Sequence, residues 1–121
     1  MSKTILTVDD SRMIREMLLI VLQEAGFNVV QAEDGQDGLE ALRRSSPDVI
    51  ITDINMPRLD GYGFIEGVRQ DQRHRATPIL VLSTESSPEK KQRAREAGAT
   101  GWIVKPFKAD TLLDVVRRVS A

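Results

Sequence analysis

"TILTVDDSRMIREMLLIVLQEAG", from Thr4 to Gly26, carries two different periodicities separated by a pair of acids. Its first five residues are apolar and rich in β-branched side chains, the composition of a buried parallel strand. Beyond Asp9, Asp10 and Ser11, the residues Ile14, Met17, Leu18, Val21, Leu22 and Ala25 recur at helical spacing, and Gly26 stands where a helix C-terminal cap belongs. A strand followed directly by an amphipathic helix is one βα unit. The rest of the chain decides whether that unit stands alone.

Four more short runs share the composition of the first: "FNVVQA" (Phe27 to Ala32), "DVIIT" (Asp48 to Thr52), "PILVLS" (Pro78 to Ser83) and "GWIVK" (Gly101 to Lys105). Each is followed by a helical pattern. Leu39 and Leu42 mark the second helix, and Tyr62 to Gln70, with Phe64, Ile65 and Val68 turned inward, mark the third. The fourth runs from Ser87 as N-cap, through Pro88 in the first turn, to Gly98, and the last opens near Asp110 and carries Leu112, Leu113, Val116 and Val119. Five βα units imply a parallel sheet with helices on both faces, because each parallel return needs a crossover and crossovers are right-handed. The fourth helix has a thin apolar face. Its Lys90, Lys91, Arg93 and Arg95 read as a solvated face or as part of a partner surface.

At 121 residues the chain is long enough to bury one core and is read as one domain over 1–121. A net charge of -1 offers no field to attract nucleic acid or an anionic membrane surface, so neither is expected as a partner. The absence of cysteine removes disulfides, thiolate chemistry and Cys-type zinc sites. Met1 to Lys3 leads straight into the first strand, and no apolar run approaches the ~18 residues of a membrane span, so the expectation is a soluble cytoplasmic protein. Arg69, Arg73, His74 and Arg75 read as a solvated basic loop, with the lone His74 a poor candidate for catalysis or metal binding. Pro57 and Gly61 read as turn formers and Met56 as loop packing.

In doubly wound sheets ligands bind beyond the carboxyl ends of the strands. Here the first strand ends in Asp9 and Asp10, the third in Asp53, the fourth in Ser83 and the fifth in Lys105, followed by Pro106. Any one of them is explained as a cap or a solvated loop residue; all five on one rim are not. Adjacent carboxylates repel by ~4 kcal/mol at about 4 Å under an effective dielectric near 20, so the pair Asp9 and Asp10 calls for a cation. Three carboxylates without histidine or cysteine suit a hard, oxygen-seeking ion such as magnesium. A carboxylate beside such an ion can attack phosphorus and form an acyl phosphate. Asp53 is the better nucleophile candidate, alone at the end of "VIIT" with "INMPRLDG" turning the chain away, which leaves Asp9 and Asp10 to hold the metal.

"VDDS" after the first strand, "AEDGQDGLEAL" at the second helix, "DINMPRLDG" around Asp53, "PILVLSTE" at the fourth strand and "AGATGWIVKPF" into the fifth together resemble the receiver domains of two-component response regulators. Among these the chain is most similar to the single-domain chemotaxis regulators. The resemblance spans the whole chain and implies a flavodoxin-like (βα)5 fold with strand order 2-1-3-4-5. It implies that Asp53 accepts a phosphoryl group from a sensor kinase phosphohistidine, with Asp10 a direct Mg2+ ligand, Asp9 a ligand mainly through water, and Asn55 contributing its backbone carbonyl. Lys105 is expected to contact the Asp53 carboxylate and then the phosphoryl group, to which Ser83 donates its hydroxyl. Movement of that hydroxyl is expected to couple to inward rotation of Trp102, remodelling the face made by helix four, strand five and helix five. The Lys105-Pro106 peptide is expected to be cis. Asn55, Glu85 and Thr84 occupy positions that tune dephosphorylation.

The resemblance further implies a signalling protein that catalyses only its own phosphorylation and dephosphorylation. Its partners would be a chemotaxis-type sensor histidine kinase, a flagellar motor switch protein or another protein target, and in some cases a phosphatase; no output domain is expected. Within the family a phosphate sink or phosphorelay receiver is the alternative, and a phosphorylation-independent binding module a more distant one. A flavin carrier of this architecture needs a phosphate-cradling loop where "DDSR" presents acid. A haloacid-dehalogenase-type phosphatase normally has its second acid where this chain has Asn55. Three departures from the commoner family pattern stand out: Ser83 for threonine, Trp102 for tyrosine or phenylalanine, and the bulkier Thr84 beside the acceptor.

Overall fold

The computed structural model describes residues 2–121, so Met1, the first residue of the lead into the first strand, lies outside the described residues. Strands and helices alternate from β1 (Thr4–Val8), α1 (Arg12–Glu24), β2 (Asn28–Ala32), α2 (Gly35–Ser45) and β3 (Val49–Thr52) to α3 (Gly61–Gln70), β4 (Ile79–Ser83), α4 (Pro88–Ala97), β5 (Gly101–Val104) and α5 (Ala109–Ser120). The strands form one parallel sheet in the order β2-β1-β3-β4-β5. Register sets the rim: Val8 lies opposite both Ala32 and Thr52, and Ser83 opposite Val104. The residues that follow these strand ends therefore emerge along one edge of the sheet.

Alternation along each strand divides the core into two layers. Leu6, Val8, Ile50, Ile79 and Val81 pack with Leu42 of α2, Phe64, Ile65 and Val68 of α3, and Ala94 of α4. On the other face Ile5, Val49, Ile51, Leu80 and Leu82 pack with Leu18 and Leu22 of α1 and with Leu112 and Val116 of α5. Four helix starts are capped by side chains that accept backbone N–H groups: Ser11 from Ile14, Asp34 from Asp37, Asp60 from Gly63 and Ser87 from Lys90. Gly26 and Gly98, at φ +95° and +122°, end α1 and α4 in a backbone conformation that side chains disfavour. Among the described residues no helix is long and apolar enough to cross a membrane.

The first predicted strand, Thr4 to Val8, coincides with β1, and the other four overrun their strands by one residue, at Phe27, Asp48, Pro78 and Lys105. Met17 is 44% exposed, and with Met13 and Ile20 it faces away from the core rather than into it. The basic loop is corrected more substantially. His74 is buried in a 3-10 turn over residues 72–74, with Nδ1 2.8 Å from Thr77 Oγ1. Arg69 is half-buried and donates Nη1 to the carbonyls of His74 and Thr77 (2.8 and 2.7 Å) and Nε and Nη2 to that of Gly98 (3.1 and 2.7 Å). These carbonyls include one at the C-terminus of α4, where orphan acceptors and the helix dipole both welcome a cation, and that permits the guanidinium to leave water. Arg73 and Arg75 remain exposed, Arg73 paired with Asp71. α4 buries only Ala94 fully, and Arg93 lies over the ring of Tyr62 with its guanidinium carbon 4.0 Å from the centroid.

Candidate functional site

β1 and β3 are adjacent, and their pairing continues one residue past the strands through Asp53 N–H to Val8 O (2.9 Å). This brings Asp9 and Asp53 side by side, with Asp10 next along the chain; a carboxylate oxygen from each lies within 4.8 Å of the others. Asp9 is buried, Asp53 half-buried and Asp10 exposed. Asp9 Oδ1 accepts the Ser11 N–H (2.9 Å), and Asp53 Oδ1 accepts the Ile54 N–H (2.7 Å). From the end of β5, Lys105 places Nζ 2.9 Å from Asp9 Oδ2 and 3.2 Å from Asp53 Oδ2. Its own N–H bonds Ser83 O (2.8 Å), and the Lys105-Pro106 peptide is cis, as expected.

One ammonium thus serves two carboxylates, and the third, on Asp10, has no hydrogen-bond or ion-pair partner among the described residues. Burial raises the pKa of Asp53 above the usual carboxylate value, and the charge of Asp9 adds to the rise against the opposing effects of the Ile54 N–H and Lys105. For Lys105, burial works against the charged form, but the bonds and charges of Asp9 and Asp53 outweigh it and raise its pKa. The lysine stays an ammonium beside a carboxylate held at raised basicity. Three carboxylates against one ammonium leave net negative charge, and the all-oxygen donor set fits a hard divalent cation.

Ser83 is buried, and its Oγ accepts the Glu85 N–H (3.2 Å) rather than bonding Asp53. The carbonyl of Glu85 in turn accepts Trp102 Nε1–H (2.9 Å), so the hydroxyl and the indole meet at a single residue. Trp102 is partly buried against the α2-α3-α4 core layer. The Glu85 side chain pairs with Lys90, while Thr84 and Asn55 are exposed on their loops. Asn55, Glu85 and Trp102 line one groove of about 290 Å³ beside the acidic cluster, between the β3–α3 loop and α4. The structure therefore gathers Asp9, Asp10, Asp53 and Lys105 into one cluster and sets Ser83, Glu85, Trp102 and Asn55 around it.

Gly61 explains how the loop after Asp53 returns so sharply. A Cβ there would stand 2.3 Å from Asp53 O, and its N–H closes the loop on Ile54 O at 2.7 Å. Sequence reasoning missed two further residues of that loop's surroundings. Asp34 is buried at the start of α2, and Arg58 holds it bidentately, Nε to Oδ2 at 2.8 Å and Nη2 to Oδ1 at 3.1 Å. The Arg58 hydrogen bond, helped by the Asp37 N–H, lowers the Asp34 pKa against the cost of its burial. "EDG" before a helix does signal Asp34 as an N-cap, but nothing local signals a partner 24 residues away. Arg15 was also missed: its Nη1 donates to Asp9 O at 2.7 Å and braces the acidic turn from α1.

Residues 5–117 match the family model described as response regulator receiver domain. Chemotaxis protein CheY-3 of Vibrio cholerae is 35% identical over 116 residues, covering 95% of this chain and 89% of that protein. The crystal structure of CheY4 of Vibrio cholerae superposes with a TM-score of 0.95 at 47% identity, covering 98% of this chain and 99% of that one. The receiver domain of a sensor histidine kinase from Pseudomonas aeruginosa superposes with a TM-score of 0.92 at 26% identity, covering 99% and 98%, and that structure has a magnesium ion coordinated in its active site cleft.

Proposed function

This chain belongs to the response regulator receiver domain family, in its CheY-like branch, and from that premise we propose that Asp53 accepts a phosphoryl group from the phosphohistidine of a sensor histidine kinase in a magnesium-dependent reaction. The observation that carries the reading is the clustering of Asp53 with Lys105, Asp9 and Asp10 at one rim. Mg2+ would be held by Asp10, Asp53 and the Asn55 backbone carbonyl, with Asp9, already engaged by Lys105 and Ser11, acting mainly through water. When bound it supplies neutralisation of charge on the phosphoryl oxygens.

The protein's own groups do the rest. A carboxylate oxygen of Asp53 forms the new P–O bond as the P–N bond to the donor imidazole breaks, and the electron pair leaves with the imidazole nitrogen. Lys105 Nζ, between two carboxylates, moves onto the incoming phosphoryl oxygens at little cost because Asp9 still holds it. Ser83 Oγ accepts from Glu85 N–H, which leaves its own proton free for a phosphoryl oxygen. Drawing Ser83 toward the acceptor pulls the Glu85 peptide and, through its carbonyl, Trp102, and so alters the α4-β5-α5 face. A shift of a few kcal/mol between two existing conformations is enough for a switch. Hydrolysis by water, tuned by Asn55, Thr84 and Glu85, resets it, so the protein catalyses only its own phosphorylation and dephosphorylation.

As one receiver domain over 1–121, the protein would signal in the cytoplasm through a protein target, first a flagellar motor switch protein, with a phosphatase able to shorten the signal. The likeness to chemotaxis regulators supports this choice. The similarity to a receiver domain of a sensor kinase favours a second reading, a phosphate sink or relay; binding of the phosphorylated protein to the motor component separates the two. The acceptor is tested by mass spectrometry after a small-molecule phosphodonor with Mg2+. A hydroxylamine-labile phosphoryl adduct in wild type and none in Asp53→Asn is expected; an adduct that survives in Asp53→Asn refutes the assignment.

A further inference from the structure

We propose that the Asp34–Arg58 ion pair is a positioning clamp that sets the affinity of the acidic site for a divalent cation by fixing the β3–α3 loop; the inference rests on the metal reading above. The loop leaves β3 at Asp53, carries Asn55 and returns at Gly61. Two of its bonds only close it on itself, Gly61 N to Ile54 O and Leu59 N to Pro57 O, both 2.7 Å. Two others tie its far side to the first turn of α2: Gly35 N to Leu59 O at 3.1 Å, and the Arg58 fork on both oxygens of Asp34. The approach is close, because a Cβ on Gly35 would stand 2.4 Å from Leu59 O.

The two ends of the pair differ in a way that favours positioning over plain stability. Asp34 is buried and already fixed by capping Asp37 N–H, so it is a rigid anchor. The Arg58 side chain is 59% exposed and its backbone stands at φ +65°, a conformation an L residue adopts at a cost. A half-exposed ion pair contributes little to folding, yet a bidentate guanidinium fixes direction as well as distance. Mg2+ demands near-ideal octahedral geometry at about 2.0–2.1 Å, so a carbonyl ligand on a loop that drifts by a few tenths of an ångström is a poorer ligand. The clamp acts through the loop and touches neither metal nor phosphoryl group.

The test is calorimetric titration of Mg2+ into wild type, Arg58→Ala, Asp34→Asn and the double variant, with the phosphorylation rate by a small donor measured at saturating Mg2+. Asn keeps the N-cap, and Ala keeps the same backbone strain as Arg. Each single variant is expected to weaken Mg2+ binding by about tenfold, the scale of outer-shell support in metal sites, with the double no weaker than either single and the rate at saturation within about twofold of wild type. Arg58→Gly, which relaxes the backbone while removing the pair, is expected to show the same loss, and it covers the case in which Arg58→Ala fails to fold. Wild-type affinity in folded single variants, or single losses that multiply in the double, overturns the clamp alone. No Mg2+ binding by wild type overturns the metal reading and the clamp with it.

Discussion

Trp102 and Ser83 are joined through one residue: the indole N–H donates to the carbonyl of Glu85 at 2.9 Å, and the Glu85 N–H donates to the serine hydroxyl at 3.2 Å. The β4–α4 loop is thereby stitched to both β4 and β5. Trp102→Phe keeps most of the packing but removes the tether, and is expected to destabilise the protein by about 1 kcal/mol, the net worth of such a bond. Because the two bonds share Glu85, Trp102→Phe and Ser83→Ala are expected to be non-additive, with a coupling of roughly 0.5 kcal/mol or more in a double-mutant cycle read by urea unfolding. Additive losses would show that the loop does not transmit.

Lys105 and Asp53 are expected to respond in opposite directions when truncated. Removing the ammonium in Lys105→Met leaves Asp9 and Asp53 without their shared counter-ion, and a loss of about 3 kcal/mol is expected for uncompensated buried charge. Asp53→Asn removes a carboxylate whose ionisation burial and Asp9 both disfavour, while Lys105 keeps Asp9 as partner. That variant is expected to gain about 1 kcal/mol in metal-free buffer, by removal of a buried charge and, to a lesser extent, of its repulsion from Asp9. Thermal unfolding of the two variants in chelator checks both signs.

Most of this architecture was legible because parallel strands carry their chemistry at their ends. Once five βα units are read, Asp9, Asp53, Ser83 and Lys105 must share one rim, whatever the details of packing. What escaped has a common physical cause. Arg58, on a left-handed backbone, meets Asp34 from 24 residues away, and Arg69 reaches the Gly98 carbonyl across 29 residues, distances no local sequence window spans. Both are long, charged side chains, whose default reading is solvation; Arg69 is drawn partly out of water by the carbonyls it serves, while Arg58 stays largely exposed and turns its fork onto the buried Asp34. Met17 erred the other way: helical spacing places it near the apolar stripe, but only Leu18 and Leu22 of α1 are fully buried and Met17 shares the exposed side with Met13 and Ile20.

His74 makes stability depend on pH in a defined direction. Burial, reinforced by the charges of Arg73 and Arg69 and opposed by Asp71, lowers its pKa below the ordinary 6.5. The folded protein therefore holds a neutral imidazole where the unfolded chain is protonated, so below pH 6.5 the unfolded state binds more protons and stability falls. The contribution is fully present above the unfolded value and is lost as pH drops toward the lowered folded one. Since His74 is the one histidine of the chain, wild type is expected to lose roughly 1 kcal/mol relative to His74→Asn between pH 7.5 and 5.5. The comparison cancels the contribution of Asp53, whose raised pKa acts with the opposite sign. Parallel pH profiles for the two proteins would exclude the imidazole as the titrating group.

Met13, Met17 and Ile20 form a continuous apolar stripe on the outer face of α1, 70%, 44% and 58% exposed, beginning one turn from Asp10. Their spacing of four and three residues gathers them on one line of the helix, and contiguous exposed apolar area of this kind marks an interaction surface. In the proposed transfer the phosphohistidine reaches Asp53 on a protein, and this stripe begins three residues after Asp10, so it is expected to seat the donor domain. Ile20→Lys should leave phosphorylation by a small-molecule donor, and Mg2+ binding, unchanged, since it lies three turns of helix away from the cluster's first acids. Transfer from the kinase should fall by about tenfold, the effect of removing roughly 1.4 kcal/mol of docking energy, through a higher apparent Kd rather than a slower saturated rate. Equal loss with both donors would mean that the substitution disturbs the site itself, and equal retention would move the docking surface off α1.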